Sequence, residues 1–158
     1  MKKFLTMVMM VLFIFAMCGC KNDVVGEQKI YLPFSVDQVE YIEMFHYLDD
    51  ISSAEKKVVT EIENIQYLHG IFEHLPVETL HEKPKDAANA VTAFRFHLVN
   101  NVKEHFEVIY YGYGVKDGVL KMPPNEIYYF TSADIGWNWS ELDIELETVS
   151  ASENELPQ

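Results

Sequence analysis

Residues 106–113 read FEVIYYGY, a run that is apolar on both of its faces. In an extended chain successive side chains point to opposite sides. Phe106, Val108 and Tyr110 therefore line one face, and Ile109, Tyr111 and Tyr113 the other. Such a strand needs cover on both sides, and the expectation is a helix over one and the C-terminal segment over the other. Residues 127–130 (IYYF) are two-sided in the same way, and Trp137 and Trp139 follow soon after. Were one face left open, its rings could stack on sugars or peptides. Tyr111, Tyr113 and Trp137 are the candidate ligand contacts on that reading.

The rest of the chain supplies partners for this strand. Residues 39–47 (VEYIEMFHY) alternate, with Val39, Tyr41, Phe45 and Tyr47 on one face, which predicts a strand. A short strand at 56–59 returns antiparallel after a polar turn. Thr60 and Glu63 have the spacing of a capping box, and Ile62, Ile65, Leu68, Phe72 and Leu75 form one helical stripe that Pro76 ends. Residues 76–90, rich in charge and small side chains, read as a long loop. Phe94, Phe96 and Leu98 alternate with Arg95 and His97, giving a strand with one buried and one wet face. A polar turn at Asn100-Asn101 precedes the two-sided strand. Lys116-Asp117-Gly118 is a hairpin signal in which Gly118 would take positive φ. Residues 119–122 pair back, Pro123-Pro124-Asn125 interrupts, and 127–131 make a further strand. In the last segment Leu142, Ile144 and Leu146 alternate as in a strand, while Ile135, Trp139, Leu142, Leu146 and Val149 fit a helix that Asn138 and Glu141 could cap. The helix is favoured. The expected fold is α+β: one domain over 30–149, a mainly antiparallel sheet with one capped helix on it and a C-terminal helix, then a disordered acidic tail over 150–158.

The amino terminus has a different character. Lys2 and Lys3 precede an apolar core at 4–17 in which Thr6 alone is polar. Fourteen residues fall short of the roughly 20 that span a bilayer as a helix, and the pattern is that of a secretory signal. It ends Met17-Cys18-Gly19-Cys20, which resembles the lipobox of bacterial lipoproteins, an apolar residue and two small ones before a cysteine. Met17 stands where that family usually has leucine, and it makes Cys18 the poorer acceptor. The resemblance implies cleavage after residue 19, diacylglycerol on Cys20 and a mature protein beginning at Cys20. A thiolate suits thioether formation, and two or three acyl chains anchor where one binds only marginally. Residues 20–29 read as a lipidated tether, whose nine residues from Lys21 reach at most roughly 30 Å.

Cleavage would leave 139 of the 158 residues, with Cys20 the one remaining cysteine, so no intramolecular disulfide could form. Without Lys2 and Lys3 the 12 basic residues become 10 against 25 acidic ones, a formal charge of −15. Phosphates would be repelled, which excludes nucleic acid as an expected partner, and an anionic membrane would be repelled as well. Anchoring to the membrane thus falls to the lipid on Cys20.

Motifs that carry chemistry do not emerge. His69 and His74 are five apart, about 140° around a helix, where metal-binding pairs prefer three or four. Glu73 has the right spacing from His69, but two ligands do not make a site, and a solvated helix face is expected. His46, His97 and His105 fall in strands as outward or hydrogen-bonded residues. No Gly-x-Ser-x-Gly elbow occurs, Tyr111-Gly112-Tyr113-Gly114 precedes no helix, and Asp49-Asp50 lacks calcium-loop spacing. No catalytic, cofactor-binding or metal-ligating residue is assigned. The layout is similar to that of small Gram-positive lipoproteins carrying domains of unknown function, a resemblance that implies location and no activity. The expected function is a non-enzymatic, lipid-anchored extracytoplasmic binding module for a cell-envelope protein or glycan. The alternatives are an acidic inhibitor or immunity-type protein acting on a basic cell-wall enzyme or toxin, and a small hydrolase.

Overall fold

The computed structural model describes residues 28–48, 53–85, 87, 90–99, 105–113, 116–150 and 156–157. The signal region, Cys20 and most of the tether lie outside them, as do Asp49-Asp50 and the Asn100-Asn101 turn. Nine strands occur among the described residues: β1 (Gln28–Lys29), β2 (Val39–Leu48), β3 (Ser53–Val59), β4 (Pro76–Leu80), β5 (Ala90–Leu98), β6 (His105–Tyr113), β7 (Asp117–Lys121), β8 (Tyr128–Thr131) and β9 (Glu147–Ser150). Helix α1 spans Ile62–Glu73 and the short α2 spans Trp137–Glu141. The strands form one antiparallel sheet in the order β1-β4-β8-β7-β6-β5-β2-β3-β9, an α+β arrangement. The two-faced apolar run is β6, and it has four strands on either side. A strand with no wet face belongs where neither edge nor surface reaches it.

Side-chain alternation divides the sheet into two faces. The first carries Ile42 and Met44 of β2, Phe94 and Phe96 of β5, Val108 and Tyr110 of β6 and Leu120 of β7. Helix α1 crosses this face, carrying the chain from β3 near one edge to β4 near the other. Its Ile65, Leu68 and Phe72, at spacings of three and four, are buried against the sheet. Phe72 packs edge-on to Phe94 at 5.0 Å and to Phe96 at 5.9 Å. Ile30, Leu32 and Phe34 of the N-terminal segment close the layer beside α1. The second face gathers Phe45, Tyr47, Val91, Ala93, Ile109, Tyr111 and Val119, covered by Ala87 and Leu156. The Tyr47 hydroxyl donates to the Pro157 carbonyl.

Several expectations are corrected at this level. A register shift between Val39 and Tyr41 breaks the simple alternation of β2, so Val39 joins the first face while Phe45 and Tyr47 stay on the second. The helix begins with Glu61 as N-cap and no side-chain cap, so the Thr60–Glu63 box does not form and Ile62 is exposed. Residues 76–80 of the expected loop are β4. The expected C-terminal helix is two pieces, five residues of α2 and then β9, because Lys57 takes over the turn between them. This buried lysine donates to the carbonyls of Trp139 and Leu142, each at 2.7 Å, and lies 4.9 Å from the Trp139 ring. A cation there answers carbonyls at a helix C-terminus and turns the chain out of the helix. The tail reading does not extend to Ser150, which ends β9, or to Leu156, which is buried.

Gly118 also behaves otherwise than expected. It lies inside β7, paired with Gly112, with no positive φ. A Cβ there would stand 2.6 Å from the Tyr110 hydroxyl and closer still to Cζ and Cε2. The glycine is required by an aromatic ring lying across the strand, a close approach that glycine in a strand often marks.

Candidate functional site

The part of the second face beyond Phe45 and Ala93 is polar. Phe94 and Phe96 turn inward to the first face, which sends Arg95 and His97 to the second. The register then sets Glu43, Arg95 and Glu107 in one row across β2, β5 and β6, and Tyr41, His97 and His105 in the next. Arg95 donates from Nε to Glu107 Oε1 at 2.8 Å, its Nη2 is 2.8 Å from the same oxygen, and its Nη1 is 3.6 Å from Glu43 Oε2. His97 Nε2 is 2.9 Å from that Glu43 oxygen, and Lys56 Nζ is 3.9 Å from the other. His105 Nε2 lies 3.4 Å from Glu107, and Lys56 also pairs with Glu147 at 3.0 Å. Below the row, the Arg95 guanidinium lies 5.2 Å from the Phe45 ring.

These side chains hold one another. No helix crosses this part of the face among the described residues, yet Glu43, Arg95 and Glu107 are 16%, 12% and 13% exposed. Mutual packing of paired charges gives a rigid polar surface, since each group has fixed partners. The Tyr41 ring stacks on His97 at 4.1 Å with 11° between planes. Partial burial, and then the carboxylates of Glu43 and Glu40, push the Tyr41 hydroxyl above its ordinary pKa, so it stays a neutral donor. A stacked ring, a phenol donor and oriented carboxylates suit a ligand with hydroxyls or amides to satisfy.

The three aromatic residues singled out from the sequence are not brought together. Tyr111 is buried in the second face, with Lys83 3.7 Å from its ring. Tyr113 is half-buried and meets Phe130 edge-on at 6.3 Å. Trp137 is 57% exposed and sits in α2, whose neighbours Ile135, Trp139 and Leu142 pack on the first face. The strand is thus covered on both sides at this end, with Leu156 of the C-terminal segment, joined by Ala87, over the second face.

Among the histidines, His69 is buried and not on a solvated face: its Nε2 is 3.2 Å from the Phe34 carbonyl, while Nδ1 is 3.8 Å from Glu73. His46 Nδ1 is 3.2 Å from Thr92 Oγ1, but the hydroxyl is buried and His46 stacks on Trp139 at 5.5 Å. That pair fills space between sheet and α2. Among the described residues no group of three or more His, Cys, Asp or Glu side chains could hold a metal ion.

Glu43 and Glu107 were not singled out from the sequence. The alternation in β5 places Arg95 and His97 on its wet side, but pairing them with acids requires the register of the β5–β6 hairpin and of the long-range β2–β5 pair, which no local signature encodes. No family model, no curated protein and no solved structure matches this chain.

Proposed function

We propose that this chain is a lipid-anchored binding module on the extracytoplasmic side of a bacterial membrane, held through acyl chains on Cys20. Its contact surface is the polar end of the second face, and its ligand is a cell-envelope glycan or protein. The anchor rests on the lipobox-like Met17-Cys18-Gly19-Cys20 and the signal pattern before it. The contact surface rests on one observation, the Glu43–Arg95–Glu107 row, which no helix crosses among the described residues, flanked by the Tyr41–His97 stack. Mass spectrometry of the membrane fraction tests the anchor: Cys20→Ser abolishes lipidation and Cys18→Ser preserves it, and diacylglycerol on Cys18 refutes the assignment. Calorimetric titration of the chain from Lys21 with cell-wall glycan fragments tests the surface. Binding that Tyr41→Ala weakens about tenfold, the loss of one stacked ring and its donor, supports it. Binding indifferent to Tyr41 and His97 refutes it.

A second reading, the acidic inhibitor or immunity-type protein with a basic partner, is favoured by a separate observation. Glu141, Asp143, Glu145 and Glu147 alternate along the chain from α2 into β9, and all four are exposed. On this reading, association with a basic muramidase is fast at low salt and weakens steeply between roughly 20 and 300 mM, as screening shortens the reach of the charges.

A further inference from the structure

The last two strands of the sheet, β3 and β9, do not match in length. β9 pairs with β3 only from Ser53 to Lys56, whose partner is Glu147. Beyond that point the outer edge of Lys57, Val58 and Val59 has no ladder partner among the described residues. The chain before β9 stands off from this edge, because Lys57 holds it by the carbonyls of Trp139 and Leu142. Between the two lies an open groove of 380 Å³ lined by Lys56, Val58, Ile144, Glu145, Leu146 and Glu147. Val58 (36% exposed) and Leu146 (46%) give it an apolar floor.

We infer that this notch takes an extended, lysine- or arginine-bearing segment of a partner protein as a tenth strand, a proposal that rests on the second reading above. Three observations select that occupant. The edge is a strand edge, so its unpaired backbone recognises another extended backbone. The rim is acidic at alternate positions along the chain: Glu145 and Glu147 line the groove, and exposed Asp143 precedes them. A basic side chain at every second position of the guest meets that spacing. The cation already present, Lys56, is held by Glu147 and Glu43 and does not neutralise Asp143 or Glu145. The length of the gap limits the guest to about three or four ordered residues, roughly 10 Å of strand. Val58 faces Glu43 in the register, so a guest residue beside Val58 continues the Glu43–Arg95–Glu107 row by one more strand.

The test uses the full chain, isotope-labelled in detergent micelles, and an eight-residue peptide alternating lysine and threonine. Two control peptides carry glutamate in place of lysine, or N-methyl groups on the four central amides. The expected result is amide shifts and exchange protection confined to 57–59 and 144–147, with affinity falling about tenfold or more between 20 and 300 mM salt. Neither control reproduces them, and Asp143→Lys with Glu145→Lys weakens the parent peptide about tenfold at low salt while the rest of the spectrum is preserved. Equal shifts from the N-methylated peptide overturn the proposal, because a ladder needs those donors. If a basic muramidase binds but the peptide leaves 57–59 unmoved, the notch is refuted and the acidic-partner reading stands. If neither binds, both fall.

Discussion

Gly118→Ala puts a methyl group into the ring of Tyr110, and the structure sets the size of the penalty. The added carbon would be 2.6 Å from the phenol oxygen and nearer to two ring carbons, inside any tolerable contact. The ring cannot slide away. It is only 4% exposed and is packed in the cluster that holds Val108, Leu120 and Ile135. Its hydroxyl is tied to the Asp117 carbonyl at 3.1 Å. A core with no room to relax places the cost at the upper end of overpacking, about 3 kcal/mol. Against this, replacing glycine inside a strand restores about 0.5–1 kcal/mol of backbone entropy. The net expectation is about 2 kcal/mol of destabilisation. In a Tyr110→Val background the ring is gone, and Gly118→Ala becomes neutral or slightly stabilising, a coupling of about 2–3 kcal/mol between the two positions. Urea unfolding of the chain from Lys21, followed by tryptophan fluorescence, measures all four corners of the cycle. An equal penalty with and without the ring would refute the argument, since a backbone requirement for glycine would survive removal of Tyr110.

Phe72, with no exposed surface, should cost about 3–5 kcal/mol on truncation to alanine, whereas Thr60→Ala should stay within about 0.5 kcal/mol because no cap is lost; parallel urea curves decide both. Tyr110 titrates abnormally, its hydroxyl pushed up to about 12 first by burial and then by Asp134. Between pH 10 and 12 the unfolded chain gives up this proton while the folded one keeps it. The stability is therefore complete below pH 10 and lost through pH 12, about 1–2 kcal/mol after allowing for solvent near the hydroxyl, and a Tyr110→Phe variant should lack that slope. Lys57→Met should cost about 2–3 kcal/mol by leaving the Trp139 and Leu142 carbonyls without their donor, and hydrogen exchange should rise first in 137–147; unchanged exchange there would refute the clamp.

Periodicity made the centre of this fold legible and left its periphery obscure. A run apolar on both faces, as in 106–113, has few places to go, and β6 lies mid-sheet with its faces divided as the alternation required. Likewise Phe94 and Phe96 against Arg95 and His97 distinguish inside from outside without any knowledge of partners. What failed were inferences in which a local signal competes with a distant one. Thr60 and Glu63 have capping spacing, but the helix starts later, with Asn64 donating to the Glu61 carboxylate at 3.2 Å. The stripe through 135–149 is helical by spacing, yet a lysine eighty residues earlier in the chain ends the helix after Glu141. Residues 76–80 carry too little apolar pattern to read as a strand, and they become one because β8 offers an edge. The Glu43–Arg95–Glu107 row depended on register across three strands, which nothing within any single strand encodes.

The place of β4 in the sheet has a consequence in time. Leu80 of β4 pairs with Tyr128 of β8, 48 positions later in the chain. At roughly 5–20 residues per second, synthesis leaves this strand without its edge for roughly 2–10 s after it appears. Throughout that interval α1, which precedes β4, holds Ile65, Leu68 and Phe72 ready for a sheet whose β5 to β7 strands are still being made. The meander of β5 to β8 assembles from near neighbours, so it can form quickly once present. The helix stripe is then an apolar surface that the nascent domain leaves open until those strands are made, and a segment for which a holding chaperone has use.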